Sequence, residues 1–318
     1  MAERIVSPGV FTREVDQSFL PAAVGAIGAA LIGPTAKGPA MIPTTVSSYS
    51  EFVQIFGDVF TSGSGAVEAS YKYLTSVSAQ NYLRYADTLT VTRILEGAYA
   101  PANSFVTSSN PGKYAFQLHT LADGEIMNSG DPDAPAAGKG LTSDETTNSM
   151  LVSGSSDNLR WEVANVNNTL GTFTLFIRRG DDTIRRKSIV EQYNNLTLDP
   201  NSPNFIARRI GDQVFTLRDS GTTTPFLQLS GSYANRSKYV RVSSVSTTLN
   251  YLDANGNIRV ASATGSLPQA VSGTFAGGSD GTVAHPQNFY NSITATNSQG
   301  YDPDTSTSYE DAVKLLSN

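Results

Sequence analysis

Gly277-Gly278-Ser279-Asp280-Gly281 has the spacing of a nucleophile elbow, a tight strand-to-helix turn that lifts a serine hydroxyl clear of the backbone. A hydrolase of that type needs a helix after the serine, then an acid and a histidine well downstream. Here Thr282-Val283-Ala284-His285-Pro286 follows, which is not a helical pattern, and His285 comes six residues after Ser279. The segment reads as a Gly-rich turn at a domain junction. Asp253-Ala254-Asn255-Gly256-Asn257 opens like a calcium loop. Such a loop needs Gly at its sixth position and Glu at its twelfth, where Ile258 and Thr264 stand. It reads as a hairpin turn. Asp131-Pro132-Asp133 and Asp302-Pro303-Asp304 pair carboxylates, but their prolines favour solvated turns over an ion site. Residues 33–37 lack the spacing of a phosphate-binding loop.

The chain has no cysteine, so thiolate chemistry, disulfides and Cys-based zinc sites are excluded. Its two histidines, His119 and His285, are far apart and have no thiolate partners. Neither a metal, a cofactor nor a catalytic residue is assigned. The one concentration of cations is Arg178, Arg179, Arg185, Arg186 and Lys187, offset by Asp181 and Asp182. In an isolated domain this reads as a solvated hairpin. In an assembly it reads as a subunit contact.

These groups need elements to position them. The 318 residues suffice for two or three domains of about 100–150 residues each. Hydrophobic residues reach 39%, including 14 Phe and 14 Tyr, so a core can be buried. Only 16% are charged, and turn-forming residues abound, which favours β-rich structure over a helical bundle. A net charge of −6 argues against general nucleic-acid binding. The N-terminus lacks a signal-peptide core. The apolar residues 21–32 are too few and too small to span a bilayer, so the protein reads as soluble and made in the cytosol.

Residues 1–20, with Pro8 and Gly9, read as extended. Val10, Thr12 and Glu14 alternate with Phe11, Arg13 and Val15, as a strand donated to a neighbour's sheet edge would. A frayed terminus is the plain alternative. Residues 23–33 suit a buried strand with close backbone approach. Ser48 and Glu51 have capping-box spacing ahead of the apolar face Phe52, Ile55 and Phe56, and Gly57 stops that helix. A second helix is predicted over residues 66–76, with Val67, Ser70, Tyr71 and Leu74 on one side. Residues 89–95 form a β-branched strand. Strand, helix, helix, strand implies an α/β layer with a crossover connection.

Beyond residue 100 the composition turns to Ser, Gly, Asn, Asp and Pro, and residues 101–157 read as a loop-rich exposed insertion. Strands return at residues 159–163 and 172–178, the latter paired with residues 183–190 across Arg179-Gly180-Asp181-Asp182. Another hairpin is predicted over residues 247–261, turning at Asn255-Gly256. At the end, Tyr309, Ala312, Val313 and Leu316 repeat at helical spacing behind a Thr307/Glu310 capping box.

The arm Ser7-Pro8-Gly9-Val10-Phe11-Thr12-Arg13-Glu14-Val15-Asp16, the small-residue strand, Gly33-Pro34-Thr35-Ala36-Lys37-Gly38-Pro39-Ala40 and the helix at residues 49–57 occur in an order that resembles the N-terminal part of contractile tail sheath proteins of bacteriophages. Residues 190–206 are also similar to a segment of that family, in which an aromatic-Asn-Asn-Leu run leads into Asp-Pro and a short helix. So is the turn at residues 277–281, followed by a loop and the helix at residues 309–316. Residues 101–157 carry none of the resemblance.

The resemblance implies an α+β fold: an α/β core layer with a large inserted β-rich region and an extended N-terminal arm. It places residues 1–20 as the arm, with Pro8, Gly9, Val10, Phe11, Thr12, Arg13 and Glu14 linking subunits. Residues 21–100 and 285–318 would belong to the core, residues 101–157 to the exposed insertion and residues 158–284 to an inserted β-rich domain. The implied function is mechanical: a helical sheath around the tail tube that contracts on a baseplate trigger and drives the tube through the host envelope. The implied partners are other sheath subunits, the tail tube, the baseplate and the tail terminator, with no nucleic acid and no membrane. The implied location is the virion tail, after synthesis in the host cytoplasm. Family members continue past the final helix into a C-terminal domain that accepts neighbouring arms. The chain therefore reads as truncated before that domain and, by itself, monomeric. The alternative is a β-rich virion module that binds a host receptor or carbohydrate through exposed aromatics, with Trp161 and Tyr233 as candidates.

Overall fold

The computed structural model describes residues 28–62, 69–95, 97–129, 154–259, 266–281 and 308–317. The arm residues 7–16, the turns at 131–133 and 302–304, His285 and most of the predicted long loop at 128–148 lie outside them.

The first unit is built on small residues. Strand β1 (Ala29–Gly33) runs parallel to β5 (Leu89–Arg93), with Ala29 beside Leu89 and Gly33 beside Arg93. Strand β2 (Thr44–Val46) pairs antiparallel on the other edge of β5. Parallel neighbours need a long crossover. This one carries α1 (Tyr49–Phe56), the hairpin β3 (Val59–Ser62) and β4 (Ala69–Lys72), and α2 (Leu74–Tyr82). A Cβ at Gly33 would meet Thr75 Oγ1 at 2.5 Å, so the glycine lets α2 lie directly on β1.

Helix α1 starts where the sequence places it. Ser48 Oγ accepts from the Glu51 amide at 3.2 Å, and Gly57 takes φ 74° at the C-terminal end. The return half of the box is shifted by one residue, since Glu51 accepts from the Ser47 amide at 2.9 Å. Phe52 and Phe56 are buried with Val46, Ala79, Leu89 and Val91.

The second helix corrects the sequence reading. Residues 69–72 are strand, and α2 begins at Leu74, whose side chain is exposed. Pairing with β3 overrides the helical period. Lys72 fixes the register by bonding Asp58 at 2.8 Å and Tyr49 Oη at 2.9 Å, and Phe60 stacks on Tyr73.

Residues 99–123, inside the stretch whose composition reads as loop, hold two long strands, β6 (Tyr99–Thr107) and β7 (Tyr114–Asp123). Alternation explains them: Ala102, Val106, Phe116 and Leu118 point inward, while polar residues between them lower the average hydrophobicity. Next come β8 (Leu159–Asn167), β9 (Thr172–Arg179), β10 (Ile189–Leu196) and α3 (Ile206–Ile210). Then follow β11 (Val214–Arg218), β12 (Phe226–Ser230), β13 (Val240–Val245), β14 (Ser272–Thr274) and β15 (Ser279–Asp280). Helix α4 (Ser308–Ser317) closes the described chain.

The order β13-β7-β6-β15 forms one sheet and β10-β9-β8-β14 another; β11 and β12 pair with each other. The two four-stranded sheets face each other across a shared core, with Phe116 stacked on Phe173 at 5.6 Å. Trp161 is 4% exposed in that core, and its indole N–H donates to Ser104 Oγ at 2.8 Å. Tyr233 is half-buried against Phe205 and under Arg208. Neither lines an exposed aromatic groove, which corrects that expectation.

The chain is therefore mixed α+β with several sheets. Two hairpins also differ from expectation. Residues 183–188 are a folded loop, and β9 pairs with β10 from Ile189 onward. The Asn255-Gly256 turn forms, with Asp253 accepting from Asn255 and Asn257, but among the described residues its flanks make a single bridge, Leu252 to Ile258. In α4 the buried positions are Ser308, Asp311 and Ala312, while Tyr309 and Val313 of the predicted stripe are exposed. Among the described residues no helix is long and apolar enough to cross a membrane.

Candidate functional site

The five predicted cations separate into two groups. Arg178 lies on the face of β9 opposite the core residues Phe173, Leu175 and Ile177, is buried there, and grips Asp182 with both Nε (2.7 Å) and Nη2 (2.9 Å). Its Nη1 reaches Glu162 at 3.1 Å, and Lys187 bonds the same carboxylate at 2.6 Å. Asp182 has a fully buried side chain and also accepts from the Ser188 amide. Arg160, absent from the sequence reading, donates to the Asp182 carbonyl from the neighbouring strand. Arg179 pairs with Asp181, which holds its guanidinium above the ordinary arginine value. Arg178 and Lys187 thus brace the 180–188 loop through Glu162. Arg185 and Arg186 stand exposed at its tip. Alternation on β8 sets Arg160 on the face opposite the core residues Leu159, Trp161 and Val163, so no pattern in the sequence signals its burial.

A second buried cation joins the units. Arg93, at the end of β5, is 2% exposed. Its Nη1 donates to the Gly38 carbonyl (2.9 Å) and the Asp123 carbonyl (2.8 Å), and its Nη2 reaches Asp280 Oδ1 at 3.3 Å. Asp123 in turn accepts from the Ala40 amide at 2.8 Å. Burial pushes the carboxyls of both Asp280 and Asp123 above the usual range, against the pull of Arg93. Gly124 sits at φ 104°, and a Cβ there would lie 2.3 Å from Asp280 Oδ1. Glycine is required on both counts.

Ser279 lies in β15, paired with Ala100 of β6, and its Oγ accepts from the Gly281 amide. Asp280 of this strand is committed to Arg93, and among the described residues no base bonds the Ser279 hydroxyl. His119, on β7, is half-buried. Burial, aided by the Arg241 charge, takes its pKa down to about 4, so it is neutral at pH 7. Beside the Arg93 junction is a cleft of about 780 Å³ between Met41, Leu95, Tyr99, Leu217, Arg241 and Asp311. Burial and the Asp123 charge raise the Tyr99 hydroxyl to about 12, so it stays protonated. Among the described residues no group of three His, Asp or Glu side chains is placed to hold a metal ion. The arrangement ties sheets together and displays a basic loop.

No family model matches the chain, and no curated protein matches it. Two solved structures similar to it are sheath tail proteins. The one from Listeria innocua has a TM-score of 0.35 and 11% identity, over 79% of this chain and 34% of that protein. The one from Desulfitobacterium hafniense has a TM-score of 0.35 and 11% identity, over 86% of this chain and 39% of that protein. The chain thus spans well under half the length of either sheath tail protein.

Proposed function

We propose that this chain belongs to a structural subunit of a contractile phage tail sheath. Its subunits polymerise helically around the tail tube, and contraction drives the tube through the host envelope. Residues 1–20 are the linking arm. Residues 21–100 and 285–318 are parts of one core domain, in which β1, β5 and the helices form an α/β layer. Residues 101–157 and 158–284 are outward insertions. Arg185 and Arg186 contact a neighbouring subunit, with Arg178, Arg179 and Lys187 holding their loop in place. The partners are further sheath subunits, the tube, the baseplate and the terminator. No catalytic step, metal or cofactor is part of this function.

The observation that carries the reading is the return of α4. The chain leaves the β1–β5 sheet at Arg93, builds its β-sheets, and comes back to the same sheet. There Ala312 packs with Met41 and Ile94, and Ser308 Oγ donates to the Leu95 carbonyl at 3.3 Å. A core interrupted by a β-rich excursion is the organisation that the order of sequence segments implies.

The test is electron microscopy of the protein that carries this chain, with and without residues 1–16. Helical tubes that lose subunit linkage on the deletion are expected. Discrete particles under every salt condition, or tubes unchanged by the deletion, overturn the reading.

A further inference from the structure

The outer face of the β6–β7–β13 sheet carries a row of side chains that the assembly reading leaves unused. Asn103 and Phe105 lie two apart on β6 and so share a face; His119 and Gln117 stand directly opposite them on β7. Arg241 continues the row beside His119 on β13, and Ser243 Oγ bonds Gln117 Oε1 at 2.9 Å. At one end Phe105 and Tyr114 pack ring on ring, 4.6 Å between centroids, yet remain 46% and 51% exposed. The opposite face, with Val106, Phe116, Leu118 and Val242, is buried in the core.

We infer that this face is a binding site for an oligosaccharide of pyranose units, with the Phe105–Tyr114 pair as its stacking platform. The C–H face of a pyranose is apolar while its rim is all hydroxyl, so its receptor needs an exposed ring beside groups that both donate and accept. The row supplies both. Gln117 donates to Asn103 Oδ1 at 3.4 Å, which orients the Asn103 amide and points its N–H groups away from Gln117. Arg241 makes one side-chain hydrogen bond among the described residues, Nη2 to His119 Nδ1 at 3.5 Å. That contact leaves the neutral imidazole proton on Nε2, a second donor. A protein partner fits less well. Phe105 and Tyr114 are the large exposed apolar side chains on this face among the described residues, too little for the dry centre of a protein interface. The sequence alternative of a carbohydrate-binding module is thereby moved from Trp161, which is buried, to Phe105 and Tyr114. The inference does not depend on the sheath reading, since exposed faces of a sheath subunit and of a free module present the same chemistry.

The experiment is a glycan array probed with the labelled full chain, followed by saturation-transfer NMR with the best oligosaccharide. Transfer to the sugar ring protons is expected. Affinity should fall at least tenfold in the F105A/Y114A double variant and in N103A, and hold in F215A, which removes an exposed aromatic elsewhere. Thermal unfolding of each variant checks that the fold is kept; F105S/Y114S, two exposed polar replacements, serves if alanine destabilises the sheet. An array without a hit, or binding untouched by both double variants, overturns the inference. So does a concentration-dependent dimer by light scattering that F105A/Y114A abolishes, which would give the face to a second copy.

Discussion

Arg93 shows how much of this molecule turns on single side chains. It lies in a run that reads as a β-branched strand, and nothing near it in sequence announces a partner: Asp280 is 187 residues away. Sequence patterning assigns the strand correctly and cannot assign the ion pair, because the pair exists only once two sheets have met. Its Nε finds no partner among the described residues, so the guanidinium is held by three bonds at a cost in desolvation. Arg93→Met strands the buried Asp280 carboxylate, whose value burial already raises, and should destabilise the protein by about 3–5 kcal/mol in urea unfolding. R93M combined with D280L should recover most of that loss, since an apolar pair of similar volume replaces two desolvated charges. A double variant as unstable as R93M alone would show that the backbone bonds to Gly38 and Asp123, and not the ion pair, carry the junction.

At the scale of elements, local signals were legible and pairing was not. The cap at Ser48, the stop at Gly57 and the turn at Asn255-Gly256 rest on residues within a few positions of one another, and all three form. Helix α2 and strands β6 and β7 depend on neighbours across a sheet, where alternation, not composition, sets the outcome. The 180–188 loop combines both. Its charges were visible in the sequence, but their division into braces and an exposed tip comes from Asp182, whose side chain is buried against Arg178. Asp182→Ala removes the acceptor for Arg178 and for the Ser188 amide. The loop should then open locally while β8 and β9 persist, and trypsin should cut after Arg185 or Arg186 at least fivefold faster, as read by mass spectrometry. Local opening of this kind is governed by few bonds. An unchanged cleavage rate would mean that the Thr183–Arg186 backbone bonds hold the loop unaided.

For the whole molecule, the decisive contact is between residues far apart in the chain. Helix α4 was legible as an amphipathic segment, but its phase was not. The stripe of Tyr309, Ala312, Val313 and Leu316 suggests four apolar residues inward, whereas Tyr309 and Val313 face out. The face that turns inward is the one whose polar members find partners: Ser308 donates to the Leu95 carbonyl, and Asp311 accepts from Ser220 Oγ (2.6 Å) and the Gly221 amide (3.1 Å). Helix α4 therefore clamps the β1–β5 sheet and the connection between β11 and β12 at once. Ala312, fully buried against Met41 and Ile94, is the point to test this. Ala312→Asp places a charge among the apolar side chains of Met41 and Ile94, so α4 should leave the sheet. Hydrogen exchange should then quicken at α4, β1 and the 219–225 connection, while β8 and β9, which share the core of Phe173 and Leu175, keep their protection. Uniform loss of protection would show a single cooperative unit. Loss confined to the first sheet and the connection would show that α4 holds the β1–β5 sheet to the β11–β12 connection as a unit separate from β8 and β9.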